Sequence, residues 1–161
     1  MEVRKATTAD LPEVHRLYRL LNEDMAALQP EDIRPADQED AFLRQSIREE
    51  VSDILLAVEG AAIRGFALVQ LRHTPPYTCI VPYTYAYLLD LVVDTPARGQ
   101  GGGRLLLAAV KAWAKERGAA YVELQVYSRN TRAQRLYQRE GFGEQMRTLR
   151  CGLWLLNSVD R

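Results

Sequence analysis

The 161-residue chain carries 21 Lys and Arg against 21 Asp and Glu, a formal net charge of zero, with 47% hydrophobic and 26% charged residues. That composition suits one globular domain spanning 1–161 with a sizeable core, and the balanced charge gives no global field to draw in nucleic acid or an anionic membrane. No apolar run approaches the ~20 residues of a spanning helix, and the opening MEVRKATTADLPEV has no apolar leader segment, so a cytoplasmic protein is expected. Cys79 and Cys151 match neither a metal spacing nor a disulfide framework and read as buried or idle thiols.

In chain order, Glu2 to Lys5 reads as a short edge strand. Asp10 and Glu13 have capping-box spacing, and Pro12 fits only a first turn. A helix should therefore run to about Leu28, with Leu11, Val14, Leu17, Tyr18, Leu21 and Met25 on its apolar stripe. Gln29 to Asp37, with Pro30 and Pro35, is a loop, and a second helix is expected from about Gln38 to Val51. From Asp53 two strands separated by Gly60 form a hairpin. Thr74 to Thr84, with three prolines, is a long connection. Tyr85 to Val93 is a further strand, nearly continuous in apolar residues except for Asp90.

The next stretch is the most informative. Val92 to Gly103 reads VVDTPARGQGGG and opens a helix from Arg104 to Arg117. Gly99, Gly101, Gly102 and Gly103 clear side chains from this corner, and the unpaired amides at the helix start point into the space. Together with the helix dipole, and with Arg98 and Arg104 flanking, this makes an anion site suited to phosphate.

Beyond Gly118, Tyr121 to Tyr127 alternates as a strand, and Asn130 or Thr131 caps a short helix that Gly141 ends. Phe142 to Leu156 then reads as a final strand or hairpin. The order β-αα-βββ-α-β-α-ββ implies an α/β fold, a mixed central sheet of about six to seven strands with helices on both faces.

Three glycine-rich phosphate motifs compete for the corner. A Walker loop needs Gly-Lys-Ser/Thr, but Arg104 and Leu105 follow Gly103. A dinucleotide fingerprint needs a glycine where Arg104 stands and belongs near the first strand, whereas three strands and two helices come before this one. The segment Arg98-Gly99-Gln100-Gly101-Gly102-Gly103 instead resembles the Arg/Gln-x-x-Gly-x-Gly/Ala signature of the GCN5-related N-acetyltransferase (GNAT) superfamily. LQVYSRNTRAQRLYQREGF is similar to that family's next strand and helix, including Asn-x-x-Ala-x-x-x-Tyr and the closing Gly-Phe. The resemblance spans nearly the whole chain, and its specific part runs from Tyr85 to Phe142.

The resemblance implies a GNAT fold, splayed between its fourth and fifth strands, that transfers acetyl from acetyl-CoA to an amine by direct attack, without a metal. The amides from Gln100 to Arg104 would hold the cofactor pyrophosphate, the main chain of Leu91, Val92 and Val93 would pair with its pantetheine arm, and Asn130 and Ala133 would flank it. Tyr137 matches the family's general acid. Many relatives have two adjacent acids in the fourth strand where this chain has Leu89 and Asp90, which leaves Asp90 three roles: base, anchor for the substrate ammonium, or structural carboxylate. A fourth-strand amide near Leu91 or Val92 is a candidate donor to the thioester carbonyl. The acceptor is a small-molecule or peptide amine, and pairing of two copies through C-terminal strands is a further expectation. Alternatives are another acyl-CoA, or a non-catalytic CoA-binding or sensing domain. His15 reads as a surface residue, while Tyr83, Tyr85 and Tyr87 share a strand face that suits either an aromatic wall or ordinary packing.

Overall fold

A computed structural model describes residues 1–153. β1 (Glu2–Lys5) leads through a 3₁₀ turn (Thr8–Asp10) into α1 (Leu11–Leu28) and α2 (Asp40–Arg48). β2 (Ser52–Glu59), β3 (Ala62–His73) and β4 (Thr84–Val93) follow, then a second 3₁₀ turn (Thr95–Ala97), α3 (Gly102–Glu116), β5 (Val122–Glu123) and α4 (Thr131–Arg139). The sheet order is β1-β2-β3-β4-β5, antiparallel except for the parallel β4–β5 pair. Among the described residues no helix is long and apolar enough to cross a membrane.

Each face of the sheet buries its own core. Ile54, Leu56, Val58, Phe66, Leu68 and Val92 pack with Leu11, Val14, Leu17 and Tyr18 of α1 and Leu43 of α2. The alternate residues Leu55, Ala57, Ala67, Val69, Ala86 and Leu88 pack with Leu106, Leu107, Val110 and Trp113 of α3. This is the period-two alternation of strands covered by helices on both sides.

Several boundaries differ from the sequence expectation for local reasons. The capping box is formed by Thr7 and Asp10, before α1, rather than by Asp10 and Glu13: the Thr7 amide donates to Asp10 Oδ2 at 2.8 Å. Arg4 grips both oxygens of the same carboxylate at 2.8 Å. The Arg4 bonds, backed by the Thr7 amide, hold the Asp10 pKa down at about 2. α2 is shorter than Gln38 to Val51 because Glu39 and Glu49, at its two ends, take extended backbone angles. Ser52 Oγ then donates to the Ser46 carbonyl at 2.9 Å, satisfying one of the orphan acceptors of the last turn.

The sheet has five strands among the described residues, not six to seven. β5 comprises Val122 and Glu123 alone, because only Ala86↔Val122 and Tyr87↔Glu123 pair before the chain leaves β4. Residues 142–153 of the expected final strand pair with no strand, and 154–156 lie outside the described residues. Both Cys79 and Cys151 are exposed free thiols rather than buried ones.

One irregularity matters for function. Along β3 and β4, Leu68 stands opposite Asp90 but Val69 stands opposite Leu88, so Leu89 is an extra residue in a β-bulge. Leu88 faces the α3 core, Leu89 packs on the α1 core, and Asp90 also reaches an α1 side chain. Two consecutive side chains thus point to the same face.

Candidate active site

Because the β4–β5 ladder stops at Tyr87↔Glu123, the stretch of β4 from Leu88 to Val93 has no strand on that side among the described residues. This is the splay expected of the fold, and its unpaired edge can accept an extended ligand as an added strand. Leu91 and Val93 turn their side chains toward the α3 core, with Val92 toward the α1 core.

The corner follows directly. Gly99 and Gly101 have φ of +77° and +84°, where an L side chain is strained. Gly102 is different: a Cβ there would meet Val93 Cγ1 at 3.4 Å and Met1 Sδ at 3.5 Å, ordinary contact. At Gly103 a Cβ would come within 2.9 Å of Leu136 Cδ2, so this position admits the close approach of α4 to α3. The Leu105 amide donates to the Gly101 carbonyl at 3.0 Å as the first helical bond. The amides of Gly102, Gly103 and Arg104 precede it, the orphan donors of a helix start.

The flanking arginines serve other partners. Arg98 donates from Nε to the Val93 carbonyl at 3.0 Å and from Nη2 to Asp24 of α1 at 2.6 Å, so it splints the corner to strand and helix rather than standing over it as a spare charge. Asp94 reinforces the splint, accepting from Arg16 of α1 at 2.9 Å and from the Thr95 amide at 3.0 Å. The Arg16 pair holds the Asp94 carboxyl below its usual range. Gln100 Nε2 donates to the Pro96 carbonyl at 3.1 Å. Arg104 is largely exposed, with Nε 3.5 Å from Glu140.

On the far side of the splay, Asn130 Oδ1 accepts from the Ala133 amide at 3.2 Å, which makes Asn130 the N-cap of α4. Its Nδ2 lies 3.9 Å from Met25 Sδ. Tyr137, one turn on from Ala133, packs edge-on against Phe142 with centroids 5.8 Å apart. Burial, and secondarily the Asp90 charge, push the Tyr137 pKa up to about 12.

Asp90 is the half-buried acid of the candidate site. Burial raises its pKa, opposed by a hydrogen bond that Tyr18 donates to Oδ2 at 2.6 Å. Tyr18 is the candidate site residue that sequence reasoning left in the apolar stripe of α1. The signal was its hydroxyl, since a tyrosine at a core position needs a polar partner. Asp90 is the acid interrupting the apolar run of β4.

The remaining candidates fall outside this arrangement. A cavity of about 490 Å³ between α1 and the start of α2 is lined by Pro12, His15, Arg16, Arg19, Asp37, Gln38 and Asp40. Its basic side chains already have partners: His15 contacts Asp40 at 2.9 Å, Arg19 pairs with Asp37 at 2.7 Å, and Arg16 pairs with Asp94. Tyr85 stacks on Tyr121 with centroids 5.1 Å apart and Tyr83 meets the same ring edge-on at 5.7 Å, whereas Tyr87 lies under the Arg72 guanidinium at 4.0 Å. Ordinary packing thus uses all three. His73 Nδ1 is bonded to Thr84 Oγ1 at 3.0 Å, at the base of the proline-rich loop.

The family model described as the acetyltransferase (GNAT) family matches residues 14–142. The chain is 31% identical over 144 residues to the uncharacterized N-acetyltransferase YhfO of Bacillus subtilis (strain 168), covering 89% of this chain and 91% of that protein. Among solved structures, a tetramutant of the BH1408 protein of Bacillus halodurans superposes with a TM-score of 0.89 at 29% identity, covering 95% of this chain and all of that one. The aminoglycoside N-acetyltransferase AAC(6')-Iy, solved in complex with CoA, shares the fold with a TM-score of 0.70 at 20% identity, covering 94% of this chain and 98% of its own.

Proposed function

The chain belongs to the GNAT acetyltransferase family, and on that premise we propose that it transfers an acetyl group from acetyl-CoA to a primary amine by direct attack in a ternary complex. One observation carries the reading: the open edge of β4 from Leu88 to Val93 runs straight into the unpaired amides of Gly102, Gly103 and Arg104. An extended amide-bearing arm fits the first, and a pyrophosphate fits the second. The positive φ angles at Gly99 and Gly101 and the absence of side chains there are consistent with close approach of an anion to the backbone.

Acetyl-CoA supplies the activated acyl group as a thioester. The protein's own groups bind, orient and handle protons. The Leu91 to Val93 main chain aligns the thioester beside Asp90, with Asn130 and Ala133 at the start of α4 on the other wall. Holding amine and carbonyl in register is worth ~7–11 kcal/mol in well-oriented systems. An alkylamine with pKa near ~10.4 is neutral only about 0.04% of the time at pH 7, so an acceptor for its proton is required. Asp90, a half-buried carboxylate with a raised pKa, is suited to bind the ammonium and take that proton.

Tyr137 remains protonated at neutral pH and can donate a hydrogen bond to the departing sulfur. Full transfer from a phenol near 12 to a thiolate of pKa near ~8.5 would be uphill by roughly 5 kcal/mol, so hydrogen-bond stabilisation is its proposed part. The aminoglycoside acetyltransferase neighbours and the half-buried carboxylate both favour a small cationic amine as acceptor.

A thermal-shift panel of acetyl-CoA, CoA, ATP and NAD, followed by CoA-thiol release against primary amines, tests the proposal. Ligand at ~100 times its Kd adds ~2.7 kcal/mol, which in a chain of this size is a shift of roughly 5–10 °C. Acetyl-CoA and CoA should give it, with ATP and NAD inert. Equal shifts from ATP or NAD would overturn the cofactor assignment, and CoA binding without thiol release from any amine would turn the reading to a non-catalytic CoA-binding domain.

A further inference from the structure

Tyr18 sits in the middle of α1, 1% exposed, with its ring tilted on Phe66 at a centroid distance of 4.6 Å. For packing alone a phenylalanine would do, and would bring no polar atom into the core. The hydroxyl obliges a partner, because a buried O–H without one costs ~1–3 kcal/mol. It finds Asp90 Oδ2, 72 residues along the chain, at 2.6 Å, the short separation of a charge-assisted bond.

The other side of the contact is equally specific. Among the described residues Asp90 accepts no hydrogen bond except the one from Tyr18, so Oδ1 is the oxygen left over. The bulge at Leu89 brings Asp90 to the α1 face; regular alternation would have put it on the face of Leu88, toward α3. Among the described residues its charge raises the pKa of three phenols: Tyr18 from α1, Tyr87 from β4 itself and Tyr137 from α4. Among the described residues no cation pairs with Asp90, and the Tyr18 hydroxyl is the one group that favours its anion. The Gln38 side chain, from the loop before α2, acts on the Tyr18 hydroxyl from its own side.

We propose that Tyr18 is the positioning residue for Asp90, clamping the carboxylate through Oδ2 so that Oδ1 faces the incoming amine. This rests on the acetyl-transfer reading above. α1 thereby belongs to the acceptor half of the site, although its sequence pattern is that of an ordinary amphipathic helix. Without the clamp the carboxylate turns about its side-chain bonds and holds its proton more tightly, since the group that stabilises its anion is gone. The ionised form is the one that binds an ammonium or accepts a proton, so the acid limb of kcat/KM moves to higher pH.

The test compares wild type, Tyr18→Phe and a protein carrying 3-fluorotyrosine at position 18, each also with Asp90→Asn. Carboxyl-carbon NMR follows the Asp90 titration directly, whether or not a productive amine has been found. Tyr18→Phe should raise that titration by about one pH unit, the size expected for losing one hydrogen bond to a charged group. The more acidic fluorinated phenol, a stronger donor, should lower it. The acid limb of kcat/KM should move with the titration in each protein, and Tyr18→Phe should cost nothing further in the Asp90→Asn background.

An Asp90 titration unchanged in both Tyr18 variants would overturn the proposal. So would equal losses of turnover with and without Asp90, which mark a packing role. Absence of CoA release by the wild type with every amine would instead sink the acetyl-transfer reading, and the titration would still decide whether Tyr18 holds Asp90. If Tyr18→Phe fails to fold, the fluorotyrosine protein alone decides by the sign of its shift.

Discussion

The glycine corner and Asp90 lie within fifteen residues of each other on one strand–loop–helix run, yet they are built in opposite ways. The corner is made of main chain: amides at the head of α3, two positive φ angles and a strand edge without a neighbour. Its arginine and aspartate side chains face away and tie it to α1. Asp90 is made of side chain: one carboxylate, turned by a bulge, held by a phenol from a distant helix and partly buried. The first kind of site is sensitive above all to backbone angle, and the second to a single side-chain atom.

Substitutions can break that contrast, and the largest effect belongs to Asp90. Asp90→Asn keeps the shape and removes the proposed base, and turnover should fall by ~10²-fold or more while CoA affinity, measured by calorimetry, stays within twofold. Its stability should rise. Because burial raises the Asp90 pKa above its unfolded value, the stability it contributes is complete below an unfolded pKa of ~3.9 and lost as pH rises through the folded pKa. At pH 7 the ionised group therefore costs stability, and the amide should increase Tm in a melting experiment. Unchanged turnover would remove Asp90 from the chemistry.

Next comes Gly101→Val. At φ +84° a β-branched residue is strained by ~1–3 kcal/mol, and relief requires the following amides to turn. CoA affinity should fall at least ~10-fold, and binding within twofold of wild type would show that the corner's angles are not what holds the ligand. The smallest effect belongs to its neighbour. Gly102→Ala meets only ordinary contacts and a helical backbone, so it should leave CoA affinity unchanged and add ~0.5–1 kcal/mol to stability, read as a small gain in Tm. A loss of affinity there would mean that volume, not angle, governs the corner.

The same contrast decides what the sequence could reveal. The corner was legible because everything it needs is contiguous: Pro96, the glycines and the helical stripe of Leu106, Val110 and Trp113 specify it locally. The two packed faces of the sheet were legible for the same reason, through alternation in β2 and β3. The role of Arg98 was not, since a guanidinium beside a phosphate-type loop and one bonded to Asp24 look alike in one dimension. Tyr18 was hidden by its own helix, where a half-polar residue matches the apolar period. The bulge at Leu89 left no trace in a run of apolar residues, because slipping one residue there exchanges one aliphatic side chain for another. β5 was over-extended because Val122, Leu124 and Val126 alternate as a strand should, while pairing depends on where β4 lies.

The two-rung ladder between β4 and β5 has a mechanical consequence. Two bodies pinned at one end form an angle, and the angle needs a second contact to fix it. That contact lies between α3 and α4, where Leu136 sits over Gly103 and where Lys111 bonds the Glu140 carbonyl beside the Arg104–Glu140 pair. The gape of the cleft therefore depends on how this side packs on α3, where Leu136 against Gly103 acts beside Val122, Leu124, Tyr137 and Phe142. A smaller residue at 136 would narrow it and a side chain at 103 would wedge it wider, so the bore available to an arriving substrate is gauged by residues that need never touch it.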